Sequence, residues 1–212
     1  MGREFLDLFT EWADTYDETV QGHDKEYEEV FRDYETILET VAKCSNGTVL
    51  EFGTGTGNLS LKLLKYADQV IGVEPSPEMR AIAQKKLGKF VEMVDGDFLH
   101  FSVQEKVNTI VSTYAFHHLT DDEKLQAFDR YSNILGKGDK IVFADTMYES
   151  KETFAHAIQE AKDKGYHNLA TDLEREYYTT IPFLQSALVA RGFDVHFTQM
   201  NDFVWLMEAT KK

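Results

Sequence analysis

Apolar residues recur every three or four positions through the first part of the chain. Between residues 11 and about 42 the sequence is charged and aromatic, and its apolar positions follow the i, i+3, i+4, i+7 spacing of one helical face. These positions are Tyr27, Val30, Phe31, Tyr34, Ile37, Leu38 and Val41. The spacing predicts an amphipathic helix over residues 11 to about 42.

A short apolar run at residues 48–52 ends abruptly in glycine. Gly53, Gly55 and Gly57 alternate directly after it, and a leucine-rich segment follows. Short apolar runs bounded by turn residues are typical of buried strands. The segment is therefore predicted to form a strand, a glycine turn and a helix, in that order.

The alternation of short apolar runs and longer amphipathic stretches continues to residue 144. The predicted strands are residues 69–74, 90–94, 107–113 and 140–144, and the predicted helices are residues 77–87 and 121–135. Pro77 suits the first turn of its helix, and Thr120 is placed to cap the next one. Nearly continuous apolar strands that alternate with helices are typical of a parallel sheet covered on both faces. We therefore predict an α/β, doubly wound fold.

The end of the chain departs from this alternation. After a predicted helix at residues 183–190, apolar runs at 195–200 and 203–207 are separated only by an Asn-Asp pair, which permits a tight antiparallel hairpin. The last strand is therefore predicted to run antiparallel to the others. The helical stretch at about 148–178 is too long for an ordinary connection, and we interpret it as a lid over a substrate.

Composition and charge narrow the class of protein. The 212 residues, 42% of them hydrophobic, suit one globular domain, and 22 basic against 37 acidic residues give a formal net charge of −15. This charge disfavours binding to nucleic acid or to anionic lipid. Cys44, the single cysteine, cannot form an internal disulfide, and no apolar run approaches the length of a membrane span. We expect a cytoplasmic protein with no nucleic-acid or membrane partner, and the oligomeric state stays open.

The glycines at 53, 55 and 57 are candidates for contact with a ligand. In a doubly wound sheet, glycines that end a strand and open a helix let the backbone approach a bound group. A tight turn without a ligand would have the same sequence, so the glycines alone leave both interpretations open. The dinucleotide fingerprint G-x-G-x-x-G/A would need a small residue where this chain has Asn58, which weakens the case for a pyrophosphate ligand.

Acidic residues follow the second and third predicted strands. Glu74 ends the second strand, where a carboxylate can accept hydrogen bonds from both hydroxyls of an adenosine ribose. Asp97 follows the third strand and could accept from an adenine amino group while Phe98 or Leu99 packs on the ring. For Asp97, an ordinary glycine-containing turn is an equal alternative.

Two adjacent histidines lie in the polar and aromatic segment after the fourth predicted strand, residues 112–119. His117 could accept a proton near a substrate, because a neutral imidazole suits that role near neutral pH. A histidine hydrogen-bonded within a loop is the alternative. The sequence has no H-E-x-x-H motif or similar set of ligands at fixed spacing. His117 is therefore the candidate catalytic residue, and we expect no metal site.

Five separated segments resemble, in order and spacing, the successive motifs of class I S-adenosylmethionine-dependent methyltransferases. The segments are residues 49–57, 73–74, 96–98, 114–119 and 135–139. The predicted C-terminal hairpin is also similar to the Rossmann-like, seven-stranded sheet of that family, which is mostly parallel with an antiparallel C-terminal strand. More narrowly, residues 9–17 and 201–207 resemble the YrrT-like group of methyltransferases.

The resemblance implies a binding site for the cofactor S-adenosylmethionine. The implied cofactor-binding residues are Tyr16, Glu51, Gly53, Thr54, Gly55, Gly57, Glu74, Asp97, Phe98 and Tyr114. The glycine turn would border the methionine portion, with Glu51 nearby and Tyr16 closing over it. Glu74 would hold the ribose, and Asp97 would hold the adenine.

The resemblance also implies one methyltransferase domain over residues 1–212, with a helical cap at about 1–44 and a helical insertion at about 148–178. Its activity would be methyl transfer to a small-molecule acceptor by in-line displacement. Two alternatives stay open. One is a sensor or assembly subunit that binds the cofactor without turnover. The other is a nicotinamide-dependent dehydrogenase, which the missing third glycine and the lack of a Tyr-x-x-x-Lys pair disfavour.

Overall fold

Eight strands form the sheet at the centre of the part of the chain that the structure describes. This computed structural model describes residue 20 and residues 24–212. The strands are β1 (Thr48–Phe52), β2 (Gln69–Val73), β3 (Glu92–Val94), β4 (Thr109–Thr113), β5 (Lys140–Tyr148), β6 (Thr179–Thr180), β7 (Phe193–Gln199) and β8 (Val204–Lys211). Seven of these described strands lie in the order β3-β2-β1-β4-β5-β8-β7, and β6 pairs with the end of β5.

The strand directions confirm the predicted Rossmann-like sheet. β1 pairs in parallel with β2 and β4, β2 with β3, and β4 with β5. β8 runs antiparallel to both of its neighbours, β5 and β7. The sheet is therefore mostly parallel with an antiparallel C-terminal strand.

Helices connect these strands where the hydrophobic pattern predicts them. They are α1 (Tyr34–Lys43), α2 (Asn58–Leu63), α3 (Pro77–Leu87), α4 (Asp121–Ile134), α5 (Lys151–Asp163), α6 (His167–Arg175) and α7 (Ile181–Val189). The start of α4 is fixed by a capping box, in which Thr120 and Glu123 each accept from the other's backbone amide. In the described residues, no helix is long and apolar enough to cross a membrane.

The helices pack against both faces of the sheet, where apolar side chains of strands and helices are buried together. Along β1, Phe52 packs in one core cluster with Phe128 of α4, whereas Val49 packs in the other with Ile37 of α1. All four side chains are fully buried. Burial of apolar surface on both faces stabilises the layered arrangement and leaves the ends of the strands free to carry polar residues.

The helix predicted over residues 11 to about 42 is wrong between residues 24 and 33. That segment consists of bends and turns, Asp33 has a left-handed φ of 64°, and α1 begins only at Tyr34. Residues 11–19 and 21–23 lie outside the described part of the chain. The apolar spacing correctly predicted which face of α1 is buried. The backbone before Tyr34 is instead determined by hydrogen bonds to a distant part of the chain.

Asn201, in the connection between β7 and β8, makes those contacts. Its Nδ2 donates to the carbonyl oxygens of Val30 and Arg32, at 3.1 and 2.8 Å. Its Oδ1 accepts from the backbone amides of Phe203 and Val204, at 2.9 and 2.7 Å. One side chain therefore holds the hairpin turn and anchors the 24–33 segment to it.

Candidate functional site

The carboxyl ends of β1, β2, β4 and β5 meet at one edge of the sheet. The chain runs outward from β1 to β2 and β3, then returns to β4 on the other side of β1. Ligands of open α/β sheets bind in the crevice where the strand order reverses in this way. The segments after β1 and β4 approach closely there, because a Cβ added to Gly53 would lie 2.7 Å from the Cβ of Ala115.

The three glycines of the turn have left-handed backbones but different surroundings. Gly53, Gly55 and Gly57 have φ values of 65°, 55° and 88°. A Cβ on Gly57 would lie 2.7 Å from a methyl group of Leu87, so Gly53 and Gly57 are required by packing within the protein. A Cβ on Gly55 would have the carbonyl oxygen of Gly53, at 4.0 Å, as its nearest described neighbour. Gly55 is thus the glycine at which a ligand can approach the backbone.

Glu74 lies against this turn, as its position after β2 predicts. Its Oε2 accepts from the Gly55 amide at 2.9 Å, and its Oε1 accepts from the Ser76 amide at 2.8 Å. Burial raises the pKa of the Glu74 carboxyl, whereas the two amides and Arg80 act to lower it. The carboxylate is therefore fixed beside the backbone of the glycine turn.

Glu51 is a second buried acid beneath the turn. It is 1% exposed, and its Oε2 accepts from the Ser60 hydroxyl at 2.5 Å. Burial raises the pKa of Glu51 to about 8, the Ser60 hydrogen bond acts to lower it, and the negative charge of Glu74 raises it. A cationic group placed nearby would favour the ionised form of Glu51.

Thr54 and Tyr114 join the turn to its surroundings. The Thr54 side chain is buried against β2, where a Cβ on Gly72 would lie 2.8 Å from Thr54 Oγ1. Tyr114 follows β4 with a φ of 53°, and its ring lies 5.2 Å from that of Phe31 and 5.5 Å from that of Tyr34. Tyr114 therefore links the end of β4 to residues that precede β1.

Asp97 and Phe98 are engaged within the protein. Asp97 Oδ1 accepts from the backbone amides of Leu99 and His100, at 2.9 and 2.8 Å, which is the turn that the sequence allowed as an alternative. The Phe98 ring is 7% exposed and stacks on Phe52 in the core, with ring centres 5.2 Å apart. The positions of Asp97 and Phe98 after the third strand therefore do not by themselves show that either side chain contacts an adenine.

His117 is held between carboxylates at the end of β4. Its Nδ1 lies 2.6 Å from Asp145 Oδ1, and its Nε2 lies 3.4 Å from Glu176 Oε2. Its ring stacks on Tyr178 with centres 4.9 Å apart. Burial acts to lower the pKa of His117, but the negative charges of Asp145 and Glu176 outweigh it and raise the pKa.

The histidine lies in the wall of a narrow pocket with a cavity volume of about 80 Å³. The cap side contributes Tyr27 and Phe31, the insertion contributes Leu169 and Glu176, and Tyr114 lies between them. Such a cavity, aromatic with a few polar groups, suits a small ligand.

Asp145 and Glu176 are site residues that the sequence did not reveal. Asp145 directly follows the strand predicted at residues 140–144, so a carboxylate after an apolar run was a signal that could have identified it, although β5 itself continues to Tyr148. Glu176 follows α6, and only the packing of the insertion against β5 brings it to His117. Tyr16, which was expected to close over the ligand, lies outside the described residues.

Comparison with known proteins identifies relatives over the full length of the chain. A family described as a methyltransferase domain matches residues 49–138. An uncharacterized methyltransferase of Geobacillus sp. is 58% identical over 213 residues, covering 100% of both chains. One of Bacillus cytotoxicus is 56% identical over 212 residues, again covering 100% of both.

Solved structures with the same fold include methyltransferases. A complex of DhpI with SAH superposes with a TM-score of 0.74 at 16% identity, covering 100% of this chain and 97% of that one. Magnesium protoporphyrin IX methyltransferase of Synechocystis PCC 6803, with bound SAH, gives a TM-score of 0.69 at 15% identity, covering 95% and 97%. These similarities support neither a dehydrogenase nor a binding protein without turnover. The chain therefore belongs to the methyltransferase family that its full-length relatives represent, and it is a class I S-adenosylmethionine-dependent methyltransferase.

Proposed function

We propose that this enzyme transfers the methyl group of S-adenosylmethionine to a small-molecule acceptor. The observation that carries the proposal is the 2.9 Å hydrogen bond from the Gly55 amide to Glu74 Oε2, beside the open space next to Gly55. A fixed carboxylate beside accessible backbone, at a reversal of strand order, suits an adenosyl group whose ribose hydroxyls need an acceptor. The net charge of −15 supports a small acceptor over a nucleic acid.

The cofactor-binding residues have distinct roles in this proposal. Glu74 accepts from the ribose, and residues 53–57 border the methionine portion above Glu51. Asp97 orders the turn that borders the adenine, since its carboxylate already holds two backbone amides of that turn. Phe98 supports the turn from the core, and Tyr16 remains a proposed closing residue.

Positioning accounts for most of the chemistry that the protein must supply. S-adenosylmethionine, when bound, provides a methyl group activated by the positive charge on sulfur. The surrounding residues then have to align the acceptor and exclude water, which is worth on the order of 7–11 kcal/mol. Glu51, once ionised, complements positive charge on the bound cofactor.

The pocket around His117 is the proposed acceptor site. Tyr114 borders it on the side of the glycine turn, and aromatic side chains such as Tyr178 and Phe203 suit a small, partly apolar molecule. His117 is the candidate proton acceptor, because Asp145 holds its Nδ1 and leaves Nε2 toward Glu176. Proton transfer of this kind contributes about 10²- to 10⁴-fold when the acceptor carries a proton of high pKa.

The cap and the insertion both contribute walls to this pocket. Tyr27 and Phe31 belong to the cap proposed at about 1–44, and Leu169 and Glu176 belong to the insertion at about 148–178. We therefore propose that residues 1–212 form one domain in which these two segments enclose the acceptor.

Transfer of a labelled methyl group tests the proposed function. Purified enzyme is incubated with methyl-labelled S-adenosylmethionine and a cell extract, and label is counted separately in the small-molecule, protein and nucleic-acid fractions. We expect label in the small-molecule fraction, and at least a tenfold lower rate with Glu74→Ala. Label confined to macromolecules contradicts the proposal. Binding of S-adenosylhomocysteine without any transfer supports the sensor alternative instead.

A further inference from the structure

Two histidines and a glutamate come together at the wall of the acceptor pocket. His117 and His118 lie in the short 3₁₀ turn Phe116–His118 after β4, and Glu176 follows α6. One ligand atom from each residue lies within 4.8 Å of the other two. We propose that these three residues bind a divalent transition-metal ion, of which Zn²⁺ is the best match to two imidazole nitrogens and one carboxylate oxygen.

The distances suit such an ion. Zinc binds histidine nitrogen and carboxylate oxygen at about 2.0–2.1 Å, so two ligands at a tetrahedral angle lie about 3.4 Å apart. His117 Nε2 and Glu176 Oε2 are separated by 3.4 Å. The ligand nitrogen of His118 lies within 4.8 Å of a ligand atom of each of the other two residues, so it would move toward them for all three to bind one ion.

Asp145 provides the outer contact that orients a metal-binding histidine. Its Oδ1 lies 2.6 Å from His117 Nδ1, and its two oxygens also accept from the backbone amides of His117 and Thr146, at 3.1 and 2.7 Å. A carboxylate on one ring nitrogen fixes the proton there and leaves the other nitrogen as the ligand. This observation is independent of the three ligands and points to the same ion.

The charges around the cluster also favour a dication. Asp145 and Glu176 place two carboxylates against the His117 ring, one at each ring nitrogen. Of the neighbouring cations, Arg175 pairs with Asp172 at 2.8 Å and lies 3.9 Å from Glu176 Oε1, and the Lys124 ammonium donates to the carbonyl oxygens of Leu119 and Tyr177.

The fourth position of such an ion would face the pocket that all three ligands line. Three protein ligands with one open position are typical of catalytic rather than structural zinc sites. This consequence, unlike the metal site itself, rests on the proposed function: a thiol or hydroxyl of the acceptor bound there would lose its proton more readily, and that proton would pass to solvent water at the mouth of the pocket. His117 would then serve as a ligand, and it could not also accept the acceptor's proton through Nε2.

Metal titration of the untagged enzyme tests the site without using activity. The protein is freed of metal with a chelator, and binding of Co²⁺ is followed by its visible absorption and that of Zn²⁺ by competition with a coloured chelator. We expect one ion per chain with the spectrum of a tetrahedral site. His118→Ala and Glu176→Gln should each weaken binding at least tenfold, and Asp145→Asn should weaken it about 10- to 100-fold while retaining the spectrum.

His156→Ala is the matched control, because this exposed histidine lies on α5 outside the cluster and should leave metal affinity unchanged. Absence of a stoichiometric ion, or equal affinity in His118→Ala, Glu176→Gln and wild-type enzyme, overturns the proposal. A thiolate absorption band with Co²⁺ also overturns it, since that band would assign the ion to Cys44. Affinity for S-adenosylhomocysteine is measured on the same samples and shows whether the cofactor site is folded. A protein that binds S-adenosylhomocysteine but no metal ion would overturn the metal site and leave the proposed methyl transfer standing.

Discussion

Replacing Gly55 by alanine tests whether the open space beside the glycine turn receives the cofactor. Gly55 has a left-handed φ of 55°, and its added Cβ would have only the Gly53 carbonyl oxygen within 4.0 Å among the described residues. Gly138 offers a matched control, with a φ of 85° and, within the described part of the chain, nothing within 4 Å of an added Cβ. It lies in the turn before β5, at the opposite edge of the sheet from the site. Both substitutions impose the same kind of backbone strain, and neither added Cβ clashes with a residue that the structure describes.

The two variants should differ in ligand affinity and agree in stability. Left-handed backbone costs alanine about 1–2 kcal/mol relative to glycine, so both variants should lose about that much free energy of unfolding. Only at position 55 would the new methyl group enter the space proposed for the cofactor. Inserting a methyl group into a well-packed contact costs about 1–3 kcal/mol, which corresponds to about a 5- to 150-fold increase in Kd.

Calorimetric titration with S-adenosylhomocysteine measures the affinity, and urea unfolding measures the stability. We expect Gly55→Ala to bind about 5- to 150-fold more weakly than Gly138→Ala, and the latter to bind like wild type. Equal affinities in the two variants, with equal losses of stability, would show that the ligand does not occupy the space beside Gly55.

Three other substitutions separate ligand-binding from structural roles. Wild-type enzyme should bind S-adenosylhomocysteine about tenfold or more tightly than its 2′-deoxy analogue, and Glu74→Gln should remove most of that difference; an unchanged ratio contradicts the ribose role. Burial raises the pKa of Glu51 from 4.5 to about 8. The free energy of unfolding of the wild-type protein therefore decreases as the pH rises from 4.5 to about 8, because the folded state holds the proton more tightly than the unfolded state does. The Glu51→Gln variant lacks this titration, so between pH 5.5 and 8.5 its stability in urea unfolding should rise relative to that of wild type by roughly 3–5 kcal/mol at most. Parallel curves of unfolding free energy against pH for the two proteins would contradict this. Phe98→Ala should lose about 3–5 kcal/mol of stability, whereas Phe90→Ala, at a 70% exposed ring, should lose less than about 0.5; comparable losses would contradict a core role for Phe98.

Most of the sheet could be predicted because its signals are local. The apolar run before the glycines gives β1 with the predicted bounds, and Pro77 and Thr120 begin α3 and α4 where the sequence indicates. Each of these signals lies within a few residues of the element that it defines. The contact between Glu74 and Gly55 was predictable for a related reason, since both follow neighbouring parallel strands and must lie at the same edge.

The remaining features depend on contacts between distant parts of the chain. The turns at 24–33 are held by Asn201, which the helical spacing of that segment cannot reveal. Phe98 could have faced either the ligand or the core, because an aromatic residue after a strand suits both positions. Glu176 reaches His117 only through the packing of the insertion, so the sequence provided no fixed spacing by which to expect a metal site there.

A crystal structure of the enzyme with S-adenosylhomocysteine tests the central claim most directly. We expect the ligand in the crevice between β1 and β4, with a ribose hydroxyl within hydrogen-bonding distance of the Glu74 carboxylate and the amino-acid portion of the ligand passing the backbone of Gly55. A ligand bound elsewhere, or a ribose held without Glu74, would contradict it.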